Sequence, residues 1–251
     1  MPRFFIASKK ISPREILSLS NDEMRHLKVL RLKKGDELIV SDGLGEEFNA
    51  EIIKIGNKEI QVYIQNKKKS SPSTKPSLIL GQAIPRFSKM ELILQKGVEL
   101  GVDIICPITT TRSYISKTNL NPNRWERWAR VVKEAGKQSG RSLIPKLNKP
   151  IAFSEFLKNK DLPILDESLH PKLLLWEGEK SQNIKETLKS FSKHPLSISI
   201  LVGPEGGFSH LEVMQAREGG YRTTSLGPWI MRVETAAIAI LSILQYEWGI
   251  N

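Results

Sequence analysis

Arg232, Glu234 and Glu205 are the charged side chains whose neighbours make them candidates for chemistry. Each stands beside a Gly-Pro turn that ends an apolar run. Residues 198–202 lead into Gly203-Pro204-Glu205-Gly206-Gly207, and residues 223–226 lead into Gly227-Pro228 and then WIMRVET. Glycines let backbone amides and carbonyls approach a ligand with no Cβ in the way. An arginine beside them can stabilise charge developing on that ligand. Glycines also serve where a chain merely turns, so spacing by itself leaves both readings open. The first loop is not a Walker A motif, because no Gly-Lys-Ser/Thr follows, and it lacks the G-x-G-x-x-G of dinucleotide-binding folds.

Other chemistries find less support. His26, His170, His194 and His210 are scattered without metal-ligand spacing, so no metal is expected. No G-x-S-x-G elbow occurs. The single cysteine, Cys106, lies in the apolar run IICP and reads as an inert buried thiol. A site of backbone groups plus Arg and Glu remains.

The elements that must hold this site alternate. Each Gly-Pro loop follows a strand and precedes a helix, and in open α/β sheets ligands bind beyond the carboxyl ends of the strands. Strands are expected at residues 78–80, 103–106 (stopped by Pro107) and 173–176. Helices are expected after the capping-box pairs Ser88/Glu91 and Ser209/Glu212, after Asn121-Pro122, and over residues 183–191. Met90, Ile93, Leu94 and Gly97 share one face, with Gly101 at the helix end; Trp125, Trp128, Val132 and Ala135 form another stripe. The last helix, residues 235–248, is apolar around much of its circumference, which suits the core or a subunit interface. The alternation predicts an α/β domain with a mainly parallel sheet.

The first seventy residues read as a separate module. Residues 20–31 fit a helix opened by Ser20 and Glu23, and DELIVSDG, EEFNAEIIKIG and KEIQVYIQ fit short strands joined by turns at Asp42-Gly43 and Gly56-Asn57. Closely spaced short strands predict a small β-barrel. Arg3, Phe4, Phe5, Arg25, His26, Lys28 and Arg31 would place cations and rings together, a mixture that holds RNA by phosphate contact and stacking. A solvated helix face with a core Phe pair is the alternative. Residues 66–77, NKKKSSPSTKPS, are linker-like. The expected division is 1–71, a linker at 72–77, and 78–251.

The chain has 251 residues and a formal net charge of +11, from 38 Lys+Arg against 27 Asp+Glu. Such an excess attracts polyanions, of which RNA is one, or only aids solubility. No apolar run is long enough for a membrane helix, and the start, MPRFFIASKKIS, is not leader-like. A soluble cytoplasmic protein is expected.

The motifs taken together resemble a known family. LVGPEGGFS and SLGPWIMRVETAAIAIL resemble the two C-terminal signatures of the RsmE family of rRNA methyltransferases, of the knotted SPOUT class. The similarity extends to SKMELILQKGVELGVDIICPITTTRS, to RWARVVKEAGKQSGRSLIPKL and to HLKVLRLKKGDELIVSDG, nearly the whole chain. The resemblance implies a PUA-like N-terminal β-barrel, a C-terminal trefoil knot binding S-adenosylmethionine, and a homodimer. It also implies methylation of N3 of a uridine in 16S rRNA of the assembled small subunit.

Carried over by position, the cofactor pocket uses Leu201, Val202, Gly203, Pro204 and Gly207, then Leu226, Gly227, Ile230 and Met231, with Leu175 and Trp176 as a third wall. The RNA contacts are Arg3, Phe4, Arg25, His26, Arg31, Arg86, Lys89, Arg112, Gln138, Arg141 and Trp229. Position 229 is Trp where the family reads Arg, and position 233 is Val where it reads Thr; the Trp229 ring could stack on a base in place of the missing contact. Arg232 is the candidate for stabilising charge on the uracil, and Glu205 or Glu234 for assisting proton loss or orienting Arg232. Glu234 also suits a helix N-terminus through the dipole alone. Methylation at uracil C5 needs a thiolate, for which Cys106 is poorly suited. Ribose 2′-O-methylation and a non-catalytic RNA-binding assembly factor remain as alternatives.

Overall fold

Alternating burial along two long strands builds the first unit. In the computed structural model, which describes residues 1–6, 11–19, 30–56, 59–68, 75–114, 121–159, 162–164, 166–191 and 193–249, five strands precede the linker region. They are β1 (Arg3–Phe5), β2 (Ile16–Leu19), β3 (Glu37–Ser41), β4 (Glu47–Ile55) and β5 (Ile60–Lys67). Their order in the sheet is β1-β3-β4-β5-β2, with β1 parallel to β3 and the other pairs antiparallel. Phe48, Ala50 and Ile52 of β4 and Ile60, Val62 and Ile64 of β5 turn inward onto Phe4, Leu38 and Val40. The Asp42-Gly43 turn forms as its residues require: Asp42 Oδ1 accepts from the amides of Leu44 (2.7 Å) and Glu46 (3.1 Å), and Gly43 takes φ +74°. The helix expected at residues 20–31 lies outside the described residues, apart from its last two positions.

The chain divides into two units, residues 1–72 with 136–144, and residues 73–135 with 145–251. Assignment of residues 136–144 to the first unit departs from the expected division. The segment is bound there by hydrogen bonds: Arg3 donates to the Gly140 carbonyl, Ser41 Oγ to the Ser142 carbonyl (2.9 Å), and the Ile144 amide to the Gly43 carbonyl (3.1 Å). None of these partners is near in sequence, so local pattern carried no sign of them.

The second unit alternates strand and helix: β6 (Ser77–Ala83), α1 (Phe87–Glu99), β7 (Ile104–Thr109), α2 (Pro122–Gln138), β8 (Lys146–Leu147), β9 (Ile151–Ala152) and α3 (Phe153–Leu157). There follow β10 (Lys172–Leu175), α4 (Ile184–Lys189), β11 (Ser197–Val202), α5 (His210–Glu218), β12 (Arg222–Thr224) and α6 (Val233–Trp248). The sheet is parallel, ordered β12-β10-β11-β6-β7-β8, with β9 also on β7. Every residue of β11 is buried, as a central parallel strand covered on both faces requires. Gly81 of β6 has a packing reason: a Cβ there would stand 2.7 Å from Leu201 and 2.9 Å from Phe156. After β12, at the sheet edge, the chain doubles back through residues 225–232 into α6, which packs on α1 and touches β11.

Two local expectations are corrected. Pro107 does not stop its strand; β7 runs through it, because Pro107 lies opposite the break between β8 and β9, where no ladder bond is demanded. Ser88 and Glu91 form no capping box: α1 starts at Phe87 without a side-chain cap, and Glu91 instead pairs with Arg127 (2.7 Å).

Candidate functional site

Three loops at the carboxyl ends of β10, β11 and β12 enclose a cleft of about 380 Å³, a volume in the range of small-molecule sites. Val202, Gly203, Pro204, Glu205, Gly207 and Phe208 form one wall. Residues 224–233 form the second, and Leu175, Trp176 and Glu177 the third; Lys89 of α1 and Ala236 of α6 close it. The lining combines apolar side chains with exposed backbone, and only a few charges enter.

The glycines are needed for their shape. A Cβ on Gly203 would lie 3.3 Å from the Gly207 Cα and from the Phe208 amide, both backbone atoms that cannot swing away. Gly207 and Gly227 have φ of +66° and +131°, which an L side chain takes only with strain. The loop is braced from outside: Arg112 Nη1 donates to the Gly206 carbonyl (2.7 Å). Below it the Ser209/Glu212 capping box forms as expected, Glu212 Oε2 accepting from the Ser209 amide at 2.8 Å, while Oε1 accepts from the Thr111 amide at 2.8 Å.

The third wall is fixed by a carboxylate that sequence reasoning missed. Glu179 is buried, its Oε1 accepting from the Ser181 amide (2.9 Å) and hydroxyl (2.6 Å), and its Oε2 from Thr223 (2.6 Å) and Arg217 (3.2 Å). Hydrogen bonds from Ser181 and Thr223 hold its carboxyl down to about 2. Arg217 also lies over the Trp176 ring, 5.7 Å from its centre. The loop after β10 is thereby tied to β12. An acidic residue in a run such as EGEKS carries no sequence sign of this role.

The expected cofactor residues Leu175, Trp176, Val202, Gly203, Pro204, Gly207, Leu226, Gly227, Ile230 and Met231 all line this cleft. Leu201 does not. One residue along the strand from Val202, it points to the other face and is fully buried with Phe156, Leu174 and Ile79.

The charged candidates are placed unequally. Arg232 is exposed, at the N-cap of α6, and lines the cleft. Glu205 also lines it; its Oε1 accepts from the Arg86 amide (3.1 Å) and stands 3.2 Å from Lys89 Nζ. Burial pushes the Glu205 carboxyl up, but the Arg86 amide and Lys89 outweigh it, and the net direction is downward. Glu234 lies outside the lining. Its Oε2 is buried without a hydrogen-bond partner, 3.8 Å from Lys89 Nζ.

Among the residues expected to meet RNA, Phe4 is corrected: it is fully buried in the core of the first unit, so its ring cannot stack on a base. Arg3 is half-buried, with its guanidinium on Gly140 and 3.3 Å from Glu47. Arg31, Arg86, Arg112 and Gln138 are exposed, Arg141 half-exposed, and Trp229 is 81% exposed at the cleft mouth. Arg25 and His26 fall outside the described residues. Cys106 is fully buried, its thiol pushed up to about 11 by that burial, so no thiolate forms at neutral pH. Among the described residues no His, Cys, Asp and Glu cluster could hold a metal ion, and no helix is long and apolar enough to cross a membrane.

Comparison with known proteins agrees with this geometry. Residues 72–245 match the family model described as an RNA methyltransferase domain, and residues 19–65 match the RNA methyltransferase PUA domain. The ribosomal RNA small subunit methyltransferase E of Mesomycoplasma hyopneumoniae is 30% identical over 96% of this chain and 98% of its own length. That of Rickettsia conorii is 32% identical over 96% of this chain and 93% of its own. Among solved structures, a ribosomal RNA small subunit methyltransferase E from Neisseria gonorrhoeae bound to S-adenosyl methionine superposes with a TM-score of 0.83. It is 29% identical, over 99% of this chain and 98% of that one.

Proposed function

The chain belongs to the ribosomal RNA small subunit methyltransferase E family, and from that premise we propose that it methylates N3 of a uridine in 16S rRNA of the assembled small subunit. The observation that carries the reading is the three-loop cleft, with the exposed Arg232 among its lining. The cleft fits S-adenosylmethionine: apolar walls from Leu175, Trp176, Val202 and Leu226 suit an adenine, and the Gly203–Gly207 turn leaves backbone groups open at a place where a Cβ would crowd the loop. When bound, S-adenosylmethionine supplies a methyl group already activated on a sulfonium.

The chain's own residues then align and neutralise. Alignment of the two reactants supplies on the order of 7 kcal/mol or more when geometry is good. Methylation at N3 would release its proton, which a carboxylate of this chain would take up and pass to solvent, while the bound cofactor would supply the methyl carbon and keep the C–S electron pair. Arg232 stabilises the charge that spreads onto O2 and O4; Glu205 or Glu234 assists the proton or orients Arg232. Trp229 stacks on a base, and Arg86, Arg112, Arg31, Gln138 and Arg141 meet the RNA backbone. The buried thiol of Cys106 supports ring-nitrogen over C5 chemistry. A homodimer is supported by α6, where Tyr246 is 79% exposed on a helix whose other side is core. An rRNA substrate supports a cytoplasmic location.

The test is mass spectrometry of small-subunit rRNA from cells lacking the gene. The expected result is one missing N3-methyluridine, restored by the purified protein and S-adenosylmethionine. A missing ribose methyl, or no missing mark, would overturn the assignment.

A further inference from the structure

We propose that Glu205 is the carboxylate that meets the N3–H of the target uracil, and that Lys89, backed by the buried Glu234, is the positioning residue that aims it. The inference rests on the methyltransferase reading above and assigns roles which that reading left shared between two carboxylates.

Three observations carry it. Glu205 lines the cleft, whereas Glu234 does not. The contacts of Glu205 from α1 and its N-cap, the Arg86 amide at 3.1 Å and Lys89 Nζ at 3.2 Å, both fall on Oε1, so that side of the cleft holds the carboxylate by one oxygen. Its side chain is 31% exposed, against 15% for Glu234. Lys89, in turn, is not a loose surface cation: it stands 3.2 Å from Glu205 and 3.8 Å from the unpartnered, buried Oε2 of Glu234. A buried carboxylate oxygen without a donor is costly, and the ammonium of Lys89 is within reach of it. Glu234 therefore draws Lys89 inward along α1 and fixes the direction from which the ammonium holds Glu205. This arrangement takes the place of the RNA contact expected of Lys89.

The groups around Glu205 act in defined directions. From α1 and its N-cap come Lys89 and the Arg86 amide; at the start of α6, Glu234 stands beside Lys89 and Arg232 lines the same cleft. From the loops come Arg112 on the Gly206 carbonyl and Glu177 beside Gly207. Glu205 must be ionised to accept the proton, so activity falls where acid protonates it. Removal of Lys89 raises its carboxyl, and removal of the Glu234 charge lowers it.

The experiment measures kcat and KM against pH for the full-length protein, with small ribosomal subunits from cells lacking the gene and labelled S-adenosylmethionine. Relative to wild type, Lys89→Met should lower kcat at least about tenfold at neutral pH and move the acidic limb of kcat upward by about one pH unit. Lys89→Arg should restore most of both, and Glu234→Gln should move the limb downward. Calorimetry with S-adenosylmethionine, expected within a few-fold of wild type for all three, shows that each variant keeps its cleft. A Lys89→Met protein with the wild-type limb and kcat, but a higher KM for subunits and a shallower salt dependence, would show a phosphate contact and overturn the inference. An upward shift with Glu234→Gln would overturn it too. Methyl transfer by wild type with unmoved limbs sinks this inference alone, whereas no transfer by wild type sinks the parent reading.

Discussion

The two ends of the parallel sheet treat buried polar atoms differently. At the amino ends of β10, β11 and β12, His170 is buried with both ring nitrogens bonded, to Ser197 Oγ at 2.5 Å and Ser199 Oγ at 2.9 Å. Burial, with Lys172 nearby, brings its imidazole down to about 4, so it stays neutral. A cavity of about 440 Å³ lies at this end, larger than the cleft, and two of its charged residues pair: Lys172 lies 3.0 Å from Glu167. At the carboxyl ends, by contrast, Glu234 Oε2 and Gln82 Oε1 are buried without partners, and Arg232 stands exposed. Cavity size therefore does not pick out the site. Polar groups left open in a native structure call for an explanation, and for Glu234 Lys89 Nζ, 3.8 Å from its Oε2, supplies one.

The comparison can be broken at the open end first. Arg232→Ala should reduce single-turnover methyl transfer by about a hundredfold or more, the scale seen when one donor to a developing anion is removed. Calorimetric affinity for S-adenosylmethionine should stay within a few-fold; equal loss of both would make Arg232 a structural support. Next in size, Gly227→Ala should weaken S-adenosylmethionine binding about tenfold, because φ of +131° costs an L residue on the order of 1–3 kcal/mol although space is free. A wild-type titration curve from that variant would show that the loop is not shaped for the ligand.

Stability experiments sharpen the contrast. Glu179→Gln should cost about 1.5–3 kcal/mol at neutral pH by removing charge-assisted bonds, read by urea unfolding. The sign with pH follows from the depressed carboxyl: its stabilisation is complete above 4.5 and is lost as pH falls toward about 2, so the variant should lack that part of the acid slope. The smallest effect is expected at the closed end. His170 is lowered from 6.5 to about 4, so wild-type stability should decline as pH falls through that window, and His170→Gln should flatten the decline with no change in methyl transfer at neutral pH. An altered transfer rate would join the two ends and remove the distinction.

Much of the site was legible because it is written in short-range chemistry. Gly203 announces a crowded turn and Gly207 and Gly227 announce positive-φ backbone, and the Ser209/Glu212 spacing states where α5 begins. Phe4 was misjudged because an aromatic beside arginines reads the same whether it faces RNA or a core; β1 pairing with β3 decided the matter. Leu201 was misassigned because a signature includes both faces of a strand, while the pleat sends only Val202 to the cleft.

The sequence by itself determined the class of fold, the two Gly-Pro loops and the family, because propensity, turn chemistry and motif order are properties of neighbours along the chain. Only the tertiary structure decided that Lys89 stands between Glu205 and Glu234, that Glu179 ties the third wall to β12, and that residues 136–144 are bound to the first unit. Among those contacts, Thr223 and Glu179 are 44 positions apart and Arg3 and Gly140 are 137 apart. Charge and hydrogen bonding act through space, and no pattern along the chain encodes which distant partner will arrive.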